Sequence, residues 1–128
     1  MEINAGPYLA ISLGAVLGAN VRYLVGLYAV ERFGAAFPYG TLFINVSGCL
    51  VIGFFLTLGY ERLTLPPVVR LFFATGFLGA YTTFSTFSYE TAALVRQGAY
   101  FPALIYVAAS VVGSMVGVFV GIVLVESL

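Results

Sequence analysis

The chain alternates long apolar runs with short charged punctuation. Residues 3–21 carry no charge, and the apolar pattern continues past Arg22 to Val30. Residues 33–60, 71–89 and 97–125 are the other uncharged stretches. A helical crossing of a bilayer core takes about 20 apolar residues, so each run is long enough for one. The pattern predicts four transmembrane helices over about 7–30, 39–60, 67–95 and 100–125, in a single domain spanning residues 1–128. Glu31-Arg32, Glu61-Arg62 and Arg96-Gln97-Gly98 mark the turns. Pro38, Pro66, Pro67 and Pro102 stand near the predicted helix starts, where a missing N–H costs nothing.

Composition sharpens the class. Hydrophobic residues are 62% of the chain and charged residues 8%, against roughly 25% charged in a soluble domain. The ionisable groups are Arg22, Arg32, Arg62, Arg70 and Arg96 against Glu2, Glu31, Glu61, Glu90 and Glu126. Mean hydropathy is +1.09, and no soluble surface can be built from so few polar groups. An all-α integral membrane protein is expected, multi-pass. With no His there is neither an imidazole base nor a common zinc site. The lone Cys49 cannot close an intrachain disulfide and reads as a small apolar residue. The net charge is zero, with no basic run for nucleic acid. The first residues lack a positive n-region, so no cleaved signal peptide is expected.

Orientation follows the Arg and Lys bias between the two sides of the membrane. With four spans, Arg62 and Arg70 lie on the side of both termini, and Arg32 and Arg96 on the other. Two against two gives no preferred answer, so insertion in both orientations is expected. Dual insertion makes an antiparallel two-fold dimer possible, and so small a domain needs a partner to bury a polar pathway. The competing reading is one orientation fixed by other cues, such as helix hydrophobicity.

Two stripes of small residues recur every four positions: Gly14, Gly18, Arg22 and Gly26, then Ala109, Gly113, Gly117 and Gly121. Such stripes let helix backbones approach in lipid. They read as packing and carry no functional information by themselves.

The third run is unusual. From Thr82 to Ser88, five of seven residues carry hydroxyls, and Gly76 and Gly79 precede them. One or two hydroxyls in a span commonly bond to the carbonyl four residues back; five crowded beside glycines fit that reading poorly. A third helix broken near Gly79–Thr82 is expected. Carbonyls exposed there need protein, water or a bound ion, and suit a hard cation such as Na⁺, although composition alone selects no ion.

Phe84 and Phe87, three apart, share a helix face. Two Phe in a span are ordinarily core or lipid-facing. Flanked by Ser85, Thr86 and Ser88, their electropositive ring edges suit the wall of an anion path. In the second helix Thr41 and Asn45 share a face. Asn45 offers N–H donors to an anion, or else an interhelical hydrogen bond. In the fourth helix Tyr106, Ser110 and Ser114 line up at spacing four. Three polar stripes in an oily bundle read as a conduit lined with donors.

Charges qualify this picture. Arg22 at membrane depth costs about 2.5–3.5 kcal/mol on insertion scales, so it faces water or a partner: it gathers anions at a vestibule, or it snorkels to the interface. Glu90 lines the opposite mouth, or pairs with an Arg at the helix end. No acid sits centrally in the first helix, where a proton-coupled drug antiporter would want one.

Gly14-x3-Gly18-x3-Arg22-Tyr23, Gly40-Thr41-Leu42-x2-Asn45-x2-Gly48 and Gly76-Phe77-Leu78-Gly79-x2-Thr82-Thr83-Phe84-Ser85-Thr86-Phe87-Ser88 together resemble the CrcB/Fluc family of bacterial fluoride channels. The resemblance covers the whole chain in length, span number and motif order; the Thr-Thr-Phe-Ser-Thr-Phe-Ser run is its most specific part. It departs at Ala80, where many members have a second glycine. It implies a dual-topology antiparallel homodimer in the bacterial inner membrane, with two pores and a central Na⁺ at the dimer interface. By motif position, the carbonyls of Gly79 and Thr82 would hold that Na⁺, Phe84 and Phe87 would be the pore phenylalanines, and Asn45 the pore asparagine. Tyr106, Ser110 and Ser114 match a polar track. The implied role is passive F⁻ efflux, which lowers fluoride toxicity.

Three other classes remain to be weighed. A proton-coupled small multidrug exporter is also small, four-span and dimeric, but its only acid candidate is Glu90, poorly placed. A non-transporting subunit of a larger membrane complex would conduct nothing alone. An enzyme needs a nucleophile–base pair, and none is visible.

Overall fold

The computed structural model describes residues 4–128. Residues 1–3, on which part of the reading of the N-terminus rests, lie outside the described residues. Helix α1 spans Ala5–Phe33. The Asn4 side chain caps it by accepting a 3.0 Å bond from the Gly6 N–H, and Gly34, at φ 79°, ends it. Helix α2 spans Tyr39–Thr57 and runs on through a wider π-helical turn, Leu58–Arg62. Both helices, with α6 over Tyr100–Glu126, are long and apolar enough to cross a membrane.

The remaining helical stretch is in pieces. Pro67–Arg70 forms a single turn, α3, followed by a π-helical segment, Leu71–Leu78. A last turn, α4, covers Gly79–Tyr81, and α5 covers Phe84–Arg96. Between them Thr82 (φ −79°, ψ 157°) and Thr83 (φ −153°, ψ 113°) are extended. Gly79 itself is helical (φ −62°, ψ −34°), so the backbone leaves the helix at the threonines and not at the glycine.

Glycines set the packing. In α1, a side chain at Gly14 would strike the Phe72 carbonyl and the Phe77 amide, and one at Gly18 the Phe77 carbonyl. These two positions bring α1 into backbone contact with the Leu71–Leu78 segment. In α6, Gly117 and Gly121 do the same against α2, at Val46 and Leu50. A side chain at Gly26 would meet nothing within 4 Å, although the Gly26 backbone lies close to Gly40 of α2.

The interior is small. One cluster joins Phe87, Leu94, Ala103 and Tyr106; another joins Ile44, Leu78 and Tyr81. Large apolar side chains instead point outward: Leu13, Leu24, Val112 and Phe119 are each at least 60% exposed. This inside-out distribution is what a helical bundle solvated by lipid requires. Arg62 Nη2 donates to the Glu126 carbonyl at 3.5 Å, so the turn after α2 and the end of α6 occupy the same end of the bundle.

Candidate functional site

Two grooves meet at the extended threonines. The first, about 550 Å³, is lined among others by Arg22, Thr41, Thr83, Thr86 and Glu90. The second, about 400 Å³, is lined by Asn45, Gly79, Thr82, Thr83, Phe84, Phe87, Ser110 and Ser114 among others. Thr83 alone belongs to both.

Thr83 is fixed from three directions. Its N–H donates to Asn45 Oδ1 at 2.8 Å, and its carbonyl accepts from Asn45 Nδ2 at 3.0 Å. The Asn45 amide thus pairs with the Thr83 backbone as a neighbouring strand would. The Thr83 hydroxyl caps α5, accepting from the Thr86 N–H at 3.2 Å, and donates to Thr86 Oγ1 at 3.0 Å. Ser85 Oγ lies 3.3 Å from the same hydroxyl. One Asn45 N–H is therefore committed to Thr83, and one remains for anything in the second groove.

Gly48, one turn after Asn45, makes this contact possible. Its missing Cβ leaves room for the Thr82 methyl, which would otherwise be struck. The Thr82 hydroxyl turns back to the Leu78 carbonyl at 3.0 Å, and the Thr82 N–H bonds to the same oxygen at 3.0 Å. The hydroxyl run expected to face one lumen is thus divided. Ser88 Oγ donates to the Phe84 carbonyl at 2.9 Å, and neither Ser85 nor Ser88 lines a groove.

The two phenylalanines differ in setting. Their ring centroids are 5.5 Å apart. Phe87 is buried with its ring 5.2 Å from that of Tyr106, whereas Phe84 is 78% exposed. On α6, Ser110 is 5% exposed, and its Oγ is the one buried side-chain polar atom without a partner among the described residues. It lines the second groove beside Ser114.

Glu90 holds the first groove together. It accepts from the Thr41 hydroxyl on Oε1 at 3.0 Å and from the Tyr106 hydroxyl on Oε2 at 2.7 Å. Both hydroxyls read from sequence as pathway donors are thus engaged by a carboxylate. Arg22 lines the same groove, so Glu90 does not occupy an opposite mouth. Phe37, which the sequence did not mark, packs edge-on against Tyr106 with centroids 5.6 Å apart. The sequence also left Thr83 unmarked as a pivot, although a Thr just before a helix start is an N-cap signal.

Among the backbone oxygens at the discontinuity, two have had their helical donors taken by side chains. The N–H groups that an unbroken helix would aim at the Gly79 and Thr82 carbonyls belong to Thr83 and Thr86. Those groups bond instead to Asn45 Oδ1 and Thr83 Oγ1. Neutral oxygens released in this way suit a hard monovalent cation, as unwound carbonyls do in discontinuous membrane helices.

Residues 9–122 match the family model described as CrcB-like protein, Camphor Resistance (CrcB). A protein of Chloroflexus aurantiacus named fluoride-specific ion channel FluC is 54% identical over 114 residues, 89% of this chain and 90% of its own length. A protein of the same name from Trichormus variabilis is 48% identical over 117 residues, 91% of this chain and 85% of its own. Another, from a Sulfurihydrogenibium species, is 46% identical over 121 residues, 94% and 98% of the two chains. With α2 to α5 and most of α1 and α6 inside the matched region, this chain is a multi-pass membrane protein that belongs to the CrcB family.

Proposed function

We propose that this chain is a fluoride-selective channel that lets F⁻ leave the cytoplasm passively, and that it is not an enzyme. The observation that carries the reading is Ser110: a buried hydroxyl with no partner among the described residues, on a residue that lines the same groove as Asn45 and its uncommitted N–H. A buried donor left unmade costs about 1–3 kcal/mol, a cost that an acceptor passing through the groove removes. The name shared by the relatives, fluoride-specific ion channel, points to fluoride as that acceptor.

Fluoride is compact and strongly hydrated, so a narrow path must replace its water with strong donors. Asn45, Ser110 and Ser114 supply them, and the edges of Phe84 and Phe87 continue the wall where no hydroxyl reaches. Chloride, larger and a weaker acceptor, gains less from the same groups. Arg22 raises anion concentration in the first groove, and Thr41 and Tyr106 hold the Glu90 carboxylate in one position there. The proposal includes the two pieces on either side of Thr82 and Thr83 as a fourth crossing within one domain.

It also includes an antiparallel homodimer of oppositely inserted chains. Support comes from the two-against-two Arg balance. The Gly79 and Thr82 carbonyls would hold Na⁺ at that interface. Bound there, Na⁺ would supply fixed positive charge beside the path.

The test is F⁻ efflux from liposomes. Wild-type protein is expected to pass F⁻ rapidly and Cl⁻ barely, and Phe84→Ile and Phe87→Ile to lose flux. Undiminished F⁻ flux in both variants overturns the assigned path. A proton-coupled exporter is a weaker fit, because both oxygens of its only intramembrane acid candidate, Glu90, are held by hydroxyls.

A further inference from the structure

We infer that Asn45 and Thr83 are positioning residues for a cation: together they divert the two amide groups that would otherwise close the helix over the Gly79 and Thr82 carbonyls. The inference rests on the proposal that these carbonyls hold Na⁺, and it concerns what keeps them available.

The argument is one of competition for hydrogen bonds. A helix running unbroken from α4 into α5 would bond the Thr83 N–H to the Gly79 carbonyl and the Thr86 N–H to the Thr82 carbonyl. In an apolar surrounding every backbone group seeks a partner, so that closed helix is the natural competitor of the extended pair. Two side-chain oxygens prevent it. Asn45 Oδ1 takes the Thr83 N–H at 2.8 Å, and Thr83 Oγ1 takes the Thr86 N–H at 3.2 Å. Asn45 Nδ2 adds a second bond, to the Thr83 carbonyl, which holds Thr83 extended by pairing with both of its backbone groups.

An unbroken helix would also satisfy the Ala80 and Tyr81 carbonyls, through the amides of Phe84 and Ser85. Those two amides have no side-chain acceptor recorded in the structure, whereas the two serving Gly79 and Thr82 each have one. Gly48 keeps the arrangement within reach by admitting the Thr82 methyl against α2. Asn45 thereby has a second duty: its oxygen and one N–H hold the backbone, leaving one N–H for the groove.

The linkage is testable without measuring conduction. Thermal unfolding of the purified full chain in detergent would be followed across a Na⁺ titration, with the large organic cation N-methylglucamine holding ionic strength constant. Wild-type protein is expected to be stabilised by Na⁺. Asn45→Ala and Thr83→Ala are expected to need about fivefold more Na⁺ or higher for half the effect, since each releases an amide to compete for a carbonyl. Thr83→Ser, which keeps the hydroxyl cap, is expected to return to within about twofold of wild type. A Gly26→Ala control, whose added methyl meets nothing within 4 Å, is expected to titrate like wild type. Should Asn45→Ala not fold, Thr83→Ala against Thr83→Ser carries the comparison, because they differ by one hydroxyl. Unchanged Na⁺ response in the alanine variants overturns this inference and leaves the cation site standing. A wild-type protein indifferent to Na⁺ overturns the cation site, and this inference with it.

Discussion

Tyr106 and Glu90, on different helices, meet at 2.7 Å, with the phenol on α6 donating to the carboxylate on α5. Tyr106 is fully buried, and Thr41 on α2 holds the other carboxylate oxygen at 3.0 Å. One acid thus ties three helices. Tyr106→Phe removes a hydrogen bond to a charged group and is expected to destabilise the protein by about 1.5–3 kcal/mol. Combining it with Glu90→Gln is expected to cost less than the sum of the two single changes, because they share one interaction. Unfolding of all four proteins in detergent checks this; strict additivity would show that the contact contributes nothing.

Ser110 separates conduction from stability. Its hydroxyl has no partner among the described residues, so Ser110→Ala is expected to leave stability unchanged or to raise it by up to about 1 kcal/mol. Fluoride efflux from liposomes is nevertheless expected to fall by about tenfold, the worth of one hydrogen bond to an anion. A fluoride electrode and a melting curve on the same preparation decide it. A large loss of stability with intact flux would make Ser110 a packing residue only.

The glycine stripe of α1 is expected to divide under substitution. Gly18→Ala drives a methyl into the Phe77 carbonyl, a backbone group that cannot swing aside. Overpacking of this kind costs about 1–3 kcal/mol or more. Gly26→Ala meets nothing within 4 Å and is expected to be tolerated. Yield of monodisperse protein and its melting temperature provide the comparison, and equal behaviour of the two variants would contradict the packing of α1.

Gly48 and Thr82 form a pair that can be repaired. Gly48→Ala would collide with the Thr82 methyl and push the extended threonines off α2. Flux is expected to drop by about tenfold or more, as misplacement of a site by a fraction of a turn commonly does. Thr82→Ser removes that methyl and retains the hydroxyl bonded to Leu78. Gly48→Ala combined with Thr82→Ser is therefore expected to recover most of the flux, and failure to recover would place the damage elsewhere.

Topology gives a prediction of a different kind. Four interfacial arginines divided evenly give the insertion machinery no bias, so tags at either terminus are expected to be accessible from both sides of the membrane. Two added lysines after Leu128 are expected to enrich one orientation and to lower the flux of the homogeneous population. Accessibility labelling of intact and permeabilised cells reads the ratio.

The amino-acid sequence alone determined the parts of this protein that depend on counting. Apolar runs bounded by Glu31-Arg32, Glu61-Arg62 and Arg96 set where helices cross, because burying so few charges in lipid leaves no other solution. Clustered hydroxyls after Gly79 marked where the third run departs from ordinary helix, since their side chains compete for backbone bonds. What the sequence could not assign was the partner of each polar group. Thr41 and Tyr106, aligned on their helices as free donors, turn out to serve Glu90. Asn45 pairs with Thr83 from 38 residues away. Ser88 bonds its own helix, and the buried Ser110 hydroxyl has no partner among the described residues. A periodic pattern shows which face a side chain shares, but which of several neighbouring acceptors wins depends on distances of a few tenths of an ångström. Those distances exist only once Gly14, Gly18, Gly48 and Gly117 have drawn the helices together.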